Sequence, residues 1–164
     1  MLKEEEILKI KAVERAKVDL AFLGICFSLF TFIVAVNTKI FQNNFLLALE
    51  LTIAIPIFFS SIFASKKLAY TKKPKIWNQV SSITFKVGYA FLISVVGILL
   101  SSLVDISVGI VFFALNVLIA LGYSALEVVE NKENLKSRFY RDLFFIFLII
   151  LFGVLPSLGI IVWN

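Results

Sequence analysis

Histidine is absent from this 164-residue chain, and cysteine occurs once. Without histidine the chain lacks the commonest general base and the commonest metal ligand. The lone Cys26 excludes an intrachain disulfide, and with no basic neighbour to activate its thiol it reads as a small apolar filler. Charge is scarce as well. Only 16 % of residues are charged against 60 % hydrophobic, where a soluble domain carries roughly 25 % charged. A water-soluble fold of this size has too little interior to bury so much apolar surface. Also missing are an aspartyl pair within the apolar segments, a G-x-S-x-G elbow and a glycine-rich phosphate loop. Enzymatic activity is therefore not expected, and neither a metal nor another cofactor is called for. No cleavable signal peptide or lipidation box is expected either; the first apolar segment reads as a retained signal-anchor helix.

What the chain does have is long apolar runs, over approximately 18–36, 45–65, 83–104, 106–126 and 143–162. Each is close to the ~20 residues that carry a helix across a hydrocarbon core about 30 Å thick. Fifteen of the sixteen Lys and Arg residues lie in alternate gaps between these runs, the exception being Lys39. Loops that retain Lys and Arg stay cytoplasmic. One orientation satisfies the whole pattern: an all-α integral membrane protein of five transmembrane helices, N-terminus in and C-terminus out. Residues 1–164 form a single membrane domain in this reading, and the pattern suits a multi-pass protein of a prokaryotic plasma membrane. The positive charge belongs to topology and to anionic inner-leaflet lipid, not to nucleic acid.

Residues 2–17 are helix-prone and either lie on the inner surface or continue into the first crossing, the continuation being the ordinary outcome. Residues 66–82 are expected to form the longest inner connection, with Tyr70 and Trp77 at headgroup level and Pro74 as punctuation. The third and fourth runs are separated only around Asp105. One helix over both would measure ~65 Å, so they must fold back as a tight hairpin. Residues 127–142 look helical, with Glu133 and Lys136 as an (i, i+3) pair, and Trp163 serves as an outer anchor.

Glu50 is the sharpest single signal, an acid inside the second run and about 8 Å deep from the outer side. It reads as a cation- or proton-binding group, against the plainer alternatives of a carboxyl that snorkels to the interface or one that is neutral and hydrogen-bonded to a neighbouring hydroxyl. The same run carries Thr52, Pro56, Ser60 and Ala64 at intervals of four, and Pro56 frees a backbone carbonyl near mid-membrane. Small and weakly polar residues recur at helical spacing elsewhere. Ala21, Gly24, Ser28, Thr31 and Ala35 do so in the first run, and Lys86, Ala90, Ser94, Gly97 and Ser101 in the third. Gly109, Phe113, Asn116, Ala120 and Ser124 follow in the fourth, and Gly153, Pro156, Ser157 and Gly159 in the fifth. Such stripes let helices approach closely. Alternatively, those of the first and third runs line a polar path, with Lys86 at its inner end, Glu50 and Asp105 near its outer end and Asn116 as a mid-membrane ligand.

Two functions fit. One is a small transport or channel-type subunit that works as an oligomer, with a cation-favouring outer mouth. The other is a non-catalytic assembly, accessory or effector protein whose basic inner face (Lys66, Lys67, Lys72, Lys73 and Lys75) contacts anionic lipid or a partner. Its partners are expected to be the lipid bilayer and further copies or a membrane subunit. A lipid-directed enzyme built on Asp19, Glu127 and Asp142 fits no recognised phosphotransfer spacing.

Overall fold

Apolar sequence with few prolines satisfies its backbone internally by winding into helix, the only open-ended element that lipid tolerates. The computed structural model describes residues 4–36, 45–71, 74–130 and 135–160. Among them every regular element is helical: α1 (Glu4–Val36), α2 (Phe45–Tyr70), α3 (Pro74–Leu103), α4 (Ile106–Glu130) and α5 (Leu135–Ile149). A π-helical turn, Ile150–Val154, carries α5 into a last turn, Leu155–Ser157. Four stretches are long and apolar enough to cross a membrane: Glu6–Ala35, Phe45–Tyr70, Pro74–Leu103 and Phe139–Ser157. Ile106–Gly122 is a shorter apolar helix. Outward faces rich in Phe27, Phe32, Phe63, Leu118 and Phe147 complete the character of a membrane-embedded helical protein.

α1 runs unbroken from Glu4, so the charged leader continues into the first apolar run as expected, with Lys17 Nζ 3.0 Å from Glu14 on its exposed side. Other boundaries differ from the sequence reading. The inner connection expected over 66–82 is mostly helix. α2 holds Lys66 and Lys67 in its final turns, where cations suit the negative end of the helix dipole, and α3 starts at Pro74, a residue preorganised for a first helical position. Lys72 and Lys73, Lys39, the Glu133–Lys136 pair and Trp163 lie outside the described residues or side chains.

The fold-back at Asp105 is present. α3 ends at Leu103, α4 begins at Ile106, and the Asp105 carboxylate accepts the Ser107 backbone N–H at 2.8 Å as an N-cap. The Ser107 side chain first, and then this N–H bond, hold the fully exposed carboxyl below its ordinary pKa. The fifth helix stops short of the expected 162. Pro156 supplies no N–H, and just before it the ladder widens, Leu155 N–H bonding to Ile150 O. Gly159 then adopts φ +67°, with Ile160 N–H on Leu155 O and Gly159 N–H on Pro156 O. This double bond is a Schellman stop, which needs a left-handed residue.

Two compact units result, Met1–Tyr89 and Ala90–Asn164. In the first, α1 packs on α2. The contact face of α2 reads Leu47, Leu51, Ala54, Phe58, Ser61, Ser65 and Leu68, all buried, in alternating steps of four and three that define a coiled-coil seam. α1 answers with Ala12, Asp19, Leu23, Cys26 and Ile33. In the second unit Phe113 is the core. Its ring lies where Cβ atoms on Gly97 and Gly153 would stand, and Gly109 sits against Ser101 and the Gly97 carbonyl. Only glycine permits these approaches.

Candidate functional site

The polar residues buried in the first unit fall at two levels of the α1–α2 hairpin. At the level where α2 meets its lysines, three helices each contribute a pair. Arg15 and Asp19 are one turn apart on α1, Ser61 and Ser65 one turn apart on α2, and Asn78 and Ser81 neighbours on the first turns of α3. Arg15 Nη1 donates to Asn78 Oδ1 at 3.2 Å, to Ser81 Oγ at 3.3 Å and to the Asn78 carbonyl at 3.5 Å. The Ser65 and Ser81 hydroxyls are 2.7 Å apart, and Ser61 Oγ donates to the Ser81 carbonyl at 3.2 Å. Asp19 is fully buried beside this network, where Ser61 and Arg15 are the polar groups that act on it. Neither of its oxygens has a group in hydrogen-bonding geometry. The Ser61 hydroxyl therefore stands between two acceptors, the Ser81 carbonyl it bonds and the Asp19 carboxyl it faces, with one proton for both.

Glu50 lies eleven residues before Ser61 on α2, about 16 Å along the axis. It is 1 % exposed, both carboxyl oxygens lack a hydrogen-bond partner, and no charged or hydrogen-bonding group among the described residues acts on it. Snorkelling to the interface does not describe such a side chain. An ionised carboxyl so enclosed and unpaired costs several kcal/mol; a bound proton or cation removes that cost.

Between the two levels sits a layer of rings. Phe22 stacks on Phe58 at 5.8 Å and contacts Phe85 and Tyr89 at 5.9 and 5.1 Å, and Phe85 stacks on Tyr89 at 6.0 Å. Carboxyl, aromatic layer and carboxyl–guanidinium network thus follow one another along the hairpin.

Of the other residues singled out in the sequence, few join this arrangement. Thr52 and Pro56 are exposed, because two residues beyond Glu50 a helix has turned by about 200°. The Thr52 hydroxyl donates to the Ala48 carbonyl at 2.7 Å, and Ser60 to the Pro56 carbonyl at 2.9 Å. α2 remains one helix through Pro56. Asn116 Nδ2 is likewise satisfied by its own turn, at Phe112 O, 2.9 Å away. Lys86 is half-buried on α3, and Asp105 caps α4 in the open. Lys66, Lys67 and Lys75 are exposed.

The stripes divide. Gly97 of α3 and Gly153 of the π turn close on Phe113 of α4, and Gly109 of α4 closes on Ser101 of α3, as close packing requires. The α1 stripe does not pack within the chain: Ala21, Gly24, Ser28, Thr31 and Ala35 are all exposed, and a Cβ on Gly24 would meet nothing within 4 Å. α1 buries instead the face that carries Asp19. Sequence reasoning missed the Arg15–Asp19–serine layer. Its signal was present in the (i, i+4) spacing of Arg15 and Asp19 and in two serines on the strict 3–4 alternation of α2.

No protein-family model, curated protein or solved structure matches the chain. Among the described residues no cluster of three or more His, Cys, Asp or Glu has the geometry of a metal site.

Proposed function

We propose that this is a non-enzymatic, transport-type membrane protein that passes protons or small monovalent cations along its α1–α2 hairpin. In this reading five helices cross a prokaryotic plasma membrane, with the N-terminus inside and the C-terminus outside. The observation that carries it is Glu50, a carboxyl buried within the protein with no group among the described residues to neutralise it. Packing alone gives no reason to keep such a group, since an apolar side chain there would serve better. Ions reach Glu50 from the outer side. The ring layer around Phe22 closes the way inward, and the Asp19–Ser61–Ser81–Arg15 network receives charge at the inner side. The Ser61 O–H turns to donate to Asp19 when that carboxyl is ionised and back to the Ser81 carbonyl when it is loaded, keeping its own proton throughout. The exposed small-residue face of α1 is the surface on which copies of the chain associate, shielding the path from lipid.

Ion flux into proteoliposomes tests this reading. Proton, Na⁺ and K⁺ fluxes are expected to fall at least about tenfold in Glu50→Gln and in Asp19→Asn, each isosteric and uncharged. Wild-type rates and selectivity in both variants would refute it. The accessory-protein reading draws on the exposure of Lys66, Lys67 and Lys75; a stoichiometric protein co-purifying in mild detergent would favour it.

A further inference from the structure

Where α2 ends and α3 begins, a groove of about 710 Å³ opens on the protein's outer surface. Its lining includes Phe63, Lys66, Lys67, Tyr70, Trp77 and Val80. Two chemistries meet in it. Lys66 and Lys67 supply adjacent cations and no acid among the described residues lines the groove, while Phe63 and Val80, both exposed, extend it along the apolar flanks of the helices. Tyr70 is 90 % exposed and Phe63 66 % exposed. Among the described residues little covers these two rings. Tyrosine and tryptophan at a helix end belong at headgroup depth, where one side of the ring is apolar and the other wet.

We infer that this groove binds one anionic phospholipid, its phosphate between Lys66 and Lys67 and its glycerol backbone against Tyr70 and Trp77, with an acyl chain running past Phe63 and Val80. The cations alone would suit any soluble phosphate. The apolar extension of the groove selects a ligand with a hydrocarbon tail. An acidic protein segment is a poorer match, because half of the lining would then lack a partner. Topology and the helix dipole already account for lysines at this end of α2, but not for two uncovered rings and an apolar channel beside them. The inference needs the helices to lie in a bilayer; it depends neither on ion transport nor on the direction of insertion.

Trp77 is itself the reporter. The chain has two tryptophans, so Trp163→Phe leaves Trp77 alone. The full-length protein carrying that substitution is reconstituted into phosphatidylcholine, with brominated phosphatidylglycerol or brominated phosphatidylcholine titrated in as quencher. Brominated phosphatidylglycerol is expected to win at Trp77 by roughly tenfold, two lysines near the surface acting together. That preference should fall to near unity in Lys66→Gln/Lys67→Gln and survive largely intact in Lys75→Gln, an exposed lysine of the same region that does not line the groove. Equal quenching by the two lipids would overturn the inference. So would an equal loss in Lys75→Gln, which would signify general surface attraction, or relief of quenching by millimolar glycerol phosphate, which would signify a site for the free anion. Failure of the flux test leaves every one of these outcomes unchanged, so the two readings stand or fall separately.

Discussion

Residues 1–89 bury two carboxyls and three serines between their helices, whereas residues 90–164, among those described, bury no charged side chain and close around Phe113 instead. Lipid tails are as apolar as leucine, so burial alone does not hold membrane helices together. Close packing and interhelical hydrogen bonds do. The second unit uses the first of these means: glycines at 97 and 153 bring backbones to the face of one ring. The first unit uses the second, through Arg15, Asn78, Ser65 and Ser81, and then goes beyond what cohesion requires. Ser65 and Ser81 contribute a bond, but Glu50 contributes none and costs energy unless it binds something. The contrast therefore separates a half held by close packing from a half that also buries carboxyls, Glu50 without a hydrogen-bond partner among the described residues.

The largest effect that would sharpen this contrast belongs to the second unit. Phe113→Ala leaves an unfilled site between two glycines, and unfolding in mixed micelles should show a loss of about 2–4 kcal/mol. A neutral result would mean that the ring is not the core it resembles. Next comes Asp19→Ala, which takes away the buried carboxyl beside the Arg15 guanidinium. Arg15 is only half-buried, so the expected loss by the same assay is about 1–3 kcal/mol, reduced by solvent at the guanidinium. Glu50→Leu should move the other way and stabilise the first unit by about 1 kcal/mol or more while flux is lost. Destabilisation there would show that the carboxyl is structural and erase the distinction between the halves. Ser65→Ala removes one interhelical bond and should cost ~0.6 kcal/mol.

Smallest of all is Asp105. Its pKa lies lower in the folded chain than the ordinary value near 3.8, because the Ser107 side chain and then its N–H favour the ionised form. The cap's contribution is thus complete above that ordinary value and fades as pH falls through the lowered folded one. Asp105→Ala should remove this acid dependence, seen as a slight shift in melting temperature near pH 3, and leave stability at pH 7 little changed.

Much of the helical plan was legible, because long apolar runs and alternating basic gaps are one-dimensional signals. The fold-back at Asp105 followed from length alone, and Glu50 stood out because an acid in an apolar run is rare. Boundaries were less legible. Lys66 and Lys67 suggested a loop, yet lysine is a good helix former and suits a helix C-terminus, so α2 absorbed them. Facing was least legible. In α1 two stripes compete, Ala21–Gly24–Ser28–Thr31–Ala35 and Asp19–Leu23–Cys26–Ile33, and composition favours burying the small one. The buried stripe is the other because it sets Asp19 beside Ser61 and Arg15. In α2 the row Thr52, Pro56, Ser60 and Ala64 drifts by 40° at each step of four, so it holds one face less well than the 3–4 alternation that carries Ser61 and Ser65. Phe113 was counted with the small residues of its stripe; only the glycines on two other segments reveal that it is the one large side chain they make room for.

The most direct measurement is the infrared difference spectrum of the reconstituted protein, labelled with ¹³C-carboxyl glutamate, recorded as pH or cation concentration is stepped outside the vesicle. A carboxyl band that changes reversibly with the step and vanishes in Glu50→Gln is the result expected of a group that loads and unloads an ion. Identical difference spectra from the wild type and Glu50→Gln would contradict the account, since Glu50 would then hold one state throughout.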